Sequence, residues 1–156
     1  MKHLLYLKEL NQETISKLLV KAESFLITNN LVDQKDHILR GCTLANLFYE
    51  PSTRTRGSFQ IAAKKLGADI LNFDEKMSSS EKGETVLDTI YTLESMGINY
   101  FVIRHGEAGI HSKIAKQVNE NSHVINAGEA NISHPTQGLL DLLTIKQHKK
   151  DFDQLK

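Results

Sequence analysis

Cysteine is nearly missing from this chain, its charges cancel and no apolar run is long; each shortage removes a class of protein. A single cysteine, Cys42, rules out an intrachain disulfide. It lies in an apolar run, residues 42–48, where a buried strand position is the expected role rather than a thiol nucleophile or metal ligand. With 19 basic and 19 acidic side chains the formal net charge is zero, so no general basic field recruits nucleic acid. An anionic partner has to be held locally. No stretch approaches the roughly 20 apolar residues of a membrane span. The segment Met1-Lys2-His3-Leu4-Leu5-Tyr6-Leu7 is too short for a signal peptide and lacks a small-residue cleavage site. A cytoplasmic location without membrane contact is therefore the default expectation. The 7 histidines show no zinc-type spacing, so neither a metal nor another cofactor is expected. Internal repeats and low-complexity segments are also missing.

What is present fits one soluble globular domain: 156 residues, 40% hydrophobic and 24% charged. Residues 8–28 read as an amphipathic helix, with Asn11 able to cap it, Glu13 in the first turn, and Ile15, Leu18, Leu19, Ala22 and Leu26 on one face. A polar loop follows, through Asp33 to His37, and leads by Gly41 into the first strand. From there apolar runs alternate with helical patterns. Strands are expected at 42–48, 69–73, 99–103 and 123–126, and helices at 53–66, 84–96, 108–118 and 135–149. Repeated strand–helix units imply an α/β fold, a parallel sheet of about four strands with helices on both faces. The loop 74–83, rich in serine and charge, has little apolar surface to bury and is expected to move. The last helix is apolar on more than one side, which suggests packing against two layers.

The stretch Glu50-Pro51-Ser52-Thr53-Arg54-Thr55-Arg56-Gly57-Ser58 stands between the first strand and its helix. A helix start has backbone N–H groups without partners and favours an anion. Ser52, Thr53 and Thr55 add hydroxyls, and Arg54 offers a planar fork that matches phosphate oxygens. An ordinary capped helix with two surface arginines fits the same residues, and spacing alone leaves both readings open. Glu50 and Arg56 are read as structural, the acid pairing with a nearby arginine. Ligands in open parallel sheets bind beyond the carboxyl ends of the strands. Ser52 to Thr55 follow the first strand, Arg104 ends the third, and His134 and Gln137 follow the fourth, so the candidates share one edge.

The string Ser52-Thr53-Arg54-Thr55-Arg56 resembles the phosphate-binding signature of the aspartate and ornithine carbamoyltransferases. Three further matches follow in that family's order. Ser78-Ser79-Ser80-Glu81-Lys82-Gly83-Glu84-Thr85 is similar to its mobile serine–lysine loop, Val102-Ile103-Arg104-His105 to its strand-end arginine, and His134-Pro135-Thr136-Gln137 to its His-Pro-Thr-Gln motif. The resemblance implies carbamoyl transfer from carbamoyl phosphate to an amine, without metal or covalent intermediate. Ser52, Thr53, Arg54 and Thr55 would bind phosphate. Thr55, Arg104 and His134 would surround the carbonyl oxygen, and Gln137 would orient the carbamoyl NH2 group. His134 at a helix start suits donation from a neutral ring. Ser78 and Lys82 would reach a neighbouring subunit's site, which implies a homotrimer with shared sites and admits regulatory or dihydroorotase-type partner subunits.

Lys82 and the run Ile125-Asn126-Ala127-Gly128 look like the family's aspartate branch, because a lysine suits a dicarboxylate substrate and repels ornithine's ammonium. An ornithine or other amine specificity, and a catalytically silent assembly subunit, are the rival readings. One departure stands out. Glu129-Ala130-Asn131-Ile132-Ser133 replaces the Asp-Gly pair and its sequel, so a changed backbone path before His134 is expected. Residues 1–156 are read as the carbamoyl phosphate domain alone. The second domain, which holds L-aspartate, would lie outside them, so this chain is expected to bind weakly and not turn over.

Overall fold

Strand-forming runs that alternate with helices have one economical arrangement, and the chain adopts it. The structure, a computed structural model, describes residues 1–28, 37–74 and 85–149. Its strands are β1 (Thr43–Phe48), β2 (Asp69–Asp74), β3 (Tyr100–His105) and β4 (His123–Glu129). Its helices are α1 (Gln12–Thr28), α2 (Thr53–Lys65), α3 (Val86–Ser95), α4 (Ile110–Ala115) and α5 (Pro135–Lys149). The four strands form one parallel sheet in the order β2-β1-β3-β4. The chain steps outward from β1 to β2 and then crosses back to β3. That reversal opens a crevice at the carboxyl ends of β1 and β3, where such sheets bind ligands.

Side chains of a strand alternate between faces, and the core divides accordingly. Ala45, Leu47, Phe101, Ile103 and Val124 pack with Ile90 and Leu93 of α3 and with Ile110 and Ile114 of α4. Leu44, Phe48, Val102 and Ala127 pack with Ala63 and Phe59 of α2. Burial on both faces explains the near-continuous apolar runs of β1 and β3. The polar exception is Asn46, fully buried, whose Nδ2 donates to Asn72 Oδ1 across to β2 at 3.0 Å. Helix α5 packs against β4 and also against α1, as its two apolar sides suggest.

Several boundaries differ from the sequence pattern. Helix α1 starts at Gln12 rather than residue 8, with Asn11 Oδ1 accepting the Thr14 N–H at 2.8 Å, and a 3-10 turn (Leu7–Glu9) precedes it. Helix α3 starts at Val86 behind a reciprocal Thr85–Asp88 capping box. Helix α4 is shorter than 108–118: it starts at Ile110 behind a left-handed Gly109 N-cap (φ 82) and ends at Ala115. Cys42 is half-buried and precedes β1. Strand β4 continues three residues beyond 126: a bulge sets Ile103 opposite Asn126 but His105 opposite Glu129. The segment before the first helix also has structure. Leu4 pairs with β4, its N–H donating to Val124 O and its carbonyl accepting the Asn126 N–H, each at 2.9 Å. It covers backbone that would otherwise be an open sheet edge.

Candidate functional site

The crevice begins with the turn from β1 into α2. Ser52 is the N-cap of α2, but its hydroxyl caps nothing. Arg56 N–H donates to Ser52 O at 3.1 Å, closing the first helical turn. Among the described residues, the N–H groups of Thr53, Arg54 and Thr55 have no acceptor. Thr53 and Arg54 are exposed and Ser52 and Thr55 half-buried. Arg54 likewise makes no hydrogen bond or ion pair among those residues. The first turn thus lacks the side-chain cap that the ordinary capped-helix alternative would supply.

Arg104 stands opposite, in β3, next to β1. Tyr49 N–H donates to Arg104 O at 3.0 Å, which ties the two strand ends together. The guanidinium spans the crevice: Nη1 donates to Ala127 O at 3.2 Å, and Nη2 lies 3.5 Å from Glu50 Oε2. Glu50 therefore pairs with an arginine, as expected, and the arginine is the one assigned to the carbonyl oxygen. Arg104 Nε is buried and without a partner among the described residues. Two glycines make room for this arrangement. A Cβ at Gly128 would overlap the Arg104 guanidinium, and its φ of 127° disfavours any L side chain. A Cβ at Gly106 would come within 2.8 Å of Glu50 Oε1.

His134 directly precedes Pro135, the first residue of α5, and is half-buried. Thr136 Oγ1 lies 3.3 Å from its Nδ1. Burial, and next the positive charge of Arg104, hold its pKa below the ordinary histidine value of 6.5. The shift favours the neutral ring, with desolvation first and Arg104 second among its causes. The Arg104 effect also places the two side chains in one electrostatic neighbourhood. Gln137 is exposed and donates from Nε2 to Asp141 Oδ1 at 2.9 Å. Its amide nitrogen is thus engaged and its carbonyl oxygen left to accept. His105 turns to Tyr49, ring centroids 5.0 Å apart, and its Nδ1 accepts the Glu107 N–H. Ser78 and Lys82 lie outside the described residues.

The sequence matches the carbamoyl-P binding domain of aspartate/ornithine carbamoyltransferase over residues 2–147. The chain belongs to the aspartate/ornithine carbamoyltransferase family. An aspartate carbamoyltransferase catalytic subunit of Coxiella burnetii is 49% identical over 153 residues, covering 98% of this chain and 49% of that protein. The corresponding subunit of Stenotrophomonas maltophilia is 48% identical over 158 residues, covering 100% and 50%. The fold of the catalytic subunit of M. jannaschii aspartate transcarbamoylase superposes with a TM-score of 0.85 at 38% identity, covering 96% of this chain and 48% of that one. The Trypanosoma cruzi enzyme, solved in complex with carbamoyl phosphate and aspartate, gives 0.87 at 31% identity, covering 96% and 46%. This carbamoyltransferase domain spans about half the length of the relatives it matches.

At the Glu129-Ala130 departure, Ala130 adopts φ 45°, a left-handed conformation that strains an alanine. The turn closes by Glu129 N–H to Ser133 O and Ile132 N–H to Glu129 O, each 2.9 Å. Glu129 itself is fully buried. Sequence reasoning missed its surroundings, because Tyr6 is brought to it from more than a hundred residues away. The available signal was a glutamate in the position of a shorter aspartate.

Proposed function

We propose that this domain binds carbamoyl phosphate for an aspartate carbamoyltransferase, which transfers the carbamoyl group to the amine of L-aspartate and releases phosphate. The observation that carries the reading is the open first turn of α2 at the same sheet edge as Arg104 and His134. The N–H groups and hydroxyls of Ser52, Thr53 and Thr55, with the Arg54 fork, take the phosphate oxygens. Arg54 also steadies the leaving group as charge collects on it.

Attack by a neutral amine on the carbonyl carbon moves negative charge onto the carbonyl oxygen. Arg104, His134 and the Thr55 hydroxyl are the donors assigned to that oxygen, each of a kind worth about 3 kcal/mol in the transition state. A Thr136 hydroxyl donated to Nδ1 leaves the His134 proton on Nε2, free to face the oxyanion. The Gln137 carbonyl accepts from the carbamoyl NH2 group and sets its plane. The tetrahedral intermediate then collapses, the C–O bond to phosphate breaks, and the amine nitrogen loses a proton. Glu50 holds Arg104 until the substrate competes for it.

Ser78 and Lys82 are assigned to the site of a neighbouring copy in a homotrimer, with the lysine serving phosphate and the aspartate carboxylates. Most contacts to aspartate are assigned to a second domain outside these residues. Titration calorimetry with carbamoyl phosphate tests the reading: the native chain is expected to release or absorb binding heat, and Arg54→Ala to abolish it. Equal heats for the two would contradict it.

A further inference from the structure

The one fully buried acid among the described residues is Glu129, at the end of β4. Its Oε2 accepts from Tyr6 OH at 2.9 Å and from Asn126 Nδ2 at 3.4 Å, and its Oε1 accepts the Gly109 N–H. His111, also fully buried, donates from Nε2 to Ile103 O at 2.8 Å and sets Nδ1 3.3 Å from Oε2 without aligning for a hydrogen bond. One carboxylate thus fastens the N-terminal segment and the β3–α4 turn to the end of β4. A buried carboxylate is costly unless donors satisfy it, so the cluster has to keep its geometry.

What hangs from Glu129 is the approach to His134. Its backbone closes the 129–133 turn, and the next residue, Ala130, donates its N–H to His105 O at 3.0 Å, beside Arg104. Two residues before Glu129, Ala127 O receives Arg104 Nη1. Asn126 Oδ1 accepts the Gly128 N–H at 2.8 Å, and Asn126 Nδ2 reaches Leu5 O at 3.0 Å. We infer that Glu129 is a positioning residue, whose anchored carboxylate fixes the backbone between Arg104 and His134 and so sets the spacing of the two donors. The inference rests on the reading of the crevice as a carbamoyl phosphate site.

The test uses the chain with Glu129→Ala, Glu129→Gln and Tyr6→Phe, and phosphonoacetamide, a phosphonate mimic of carbamoyl phosphate. Affinity is read by calorimetry, His134 ring nitrogens by NMR, and stability by thermal melting. Glu129→Ala is expected to weaken binding roughly tenfold or more, as displacement by a fraction of an ångström does, and to shift the His134 signals. Glu129→Gln keeps an acceptor for Gly109 and a polar end for Tyr6, and is expected to bind within about threefold of the native chain. Tyr6→Phe removes the hydrogen bond to Glu129 Oε2 and the one received from Ser112 Oγ, and should shift His134 and weaken binding about threefold.

Glu129→Ala with a lower melting temperature but native affinity and native His134 signals would overturn the inference, as would Glu129→Gln as weak as alanine. If Glu129→Ala does not fold, Tyr6→Phe decides, and native affinity with unmoved His134 signals overturns it. A native chain that does not bind the mimic would instead overturn the functional reading.

Discussion

The two turns that frame the crevice are built on opposite principles. Between β1 and α2 the chain leaves its donors open: an N-cap serine that caps nothing, first-turn N–H groups without acceptors among the described residues, and an exposed Arg54. At the end of β4 the side chains of a buried glutamate and a buried asparagine are committed, beside a left-handed alanine. Open donors suit a ligand that brings its own charge, because binding satisfies what folding left unsatisfied. Committed groups suit a catalytic donor whose position, rather than availability, limits the chemistry. Substitutions at the first turn should therefore change affinity and leave stability alone, while those at the second should change both.

The largest separation is expected for Arg54→Ala. Loss of a charge-assisted fork costs about 3 kcal/mol, roughly a hundredfold in phosphonate affinity by calorimetry, with an unchanged melting temperature. Gly128→Ala should do the reverse. A side chain forced into positive φ and against Arg104 costs about 2–3 kcal/mol of stability in chemical denaturation, and the displaced guanidinium weakens binding as well.

Two smaller substitutions sharpen the contrast. Ala130→Gly relieves a left-handed alanine and should gain about 0.5–1 kcal/mol, the strain relieved being partly offset by a freer unfolded chain. Gly57→Ala, inside α2 with nothing within 4 Å of the added Cβ, should gain about 0.5–1 kcal/mol by helix propensity. Denaturation midpoints measure both.

The pH response is the smallest. His134 and His111 both have pKa values held below 6.5, in each case chiefly by burial. Below about pH 6.5 unfolded chains take up protons that the folded chain refuses, so stability should fall as pH drops through that value and toward the lower folded-state values. Arg104→Gln removes a positive neighbour and should raise the His134 titration midpoint seen by NMR.

Most of the sheet was legible because parallel strands buried on both faces carry long apolar runs, as in Thr43–Phe48 and Tyr100–His105. The end of β4 was not, since the expected strand stops at 126 while the observed one runs on through Gly128 to Glu129 across a bulge. The pairing of Leu4 with β4 was hidden for another reason: a few residues carry no period, and their partner lies far along the chain. At the site, Ser52 to Thr55, Arg104, His134 and Gln137 could be placed on one edge from strand order alone. The pairing of Glu50 with Arg104 was half visible, as an acid that needed some arginine. The Glu129 cluster required the fold, because its donors come from Tyr6 and Gly109, and neither residue advertises the other.

The central claim is that the open turn at α2 and the fixed donors Arg104 and His134 serve one ligand. A phosphonoacetamide titration followed by NMR tests it most directly, observing the Thr53, Arg54 and Thr55 amides together with the His134 ring nitrogens. The account predicts that all of them move along one binding curve, with a single dissociation constant. Movement of the amides while the His134 ring stays fixed would contradict it.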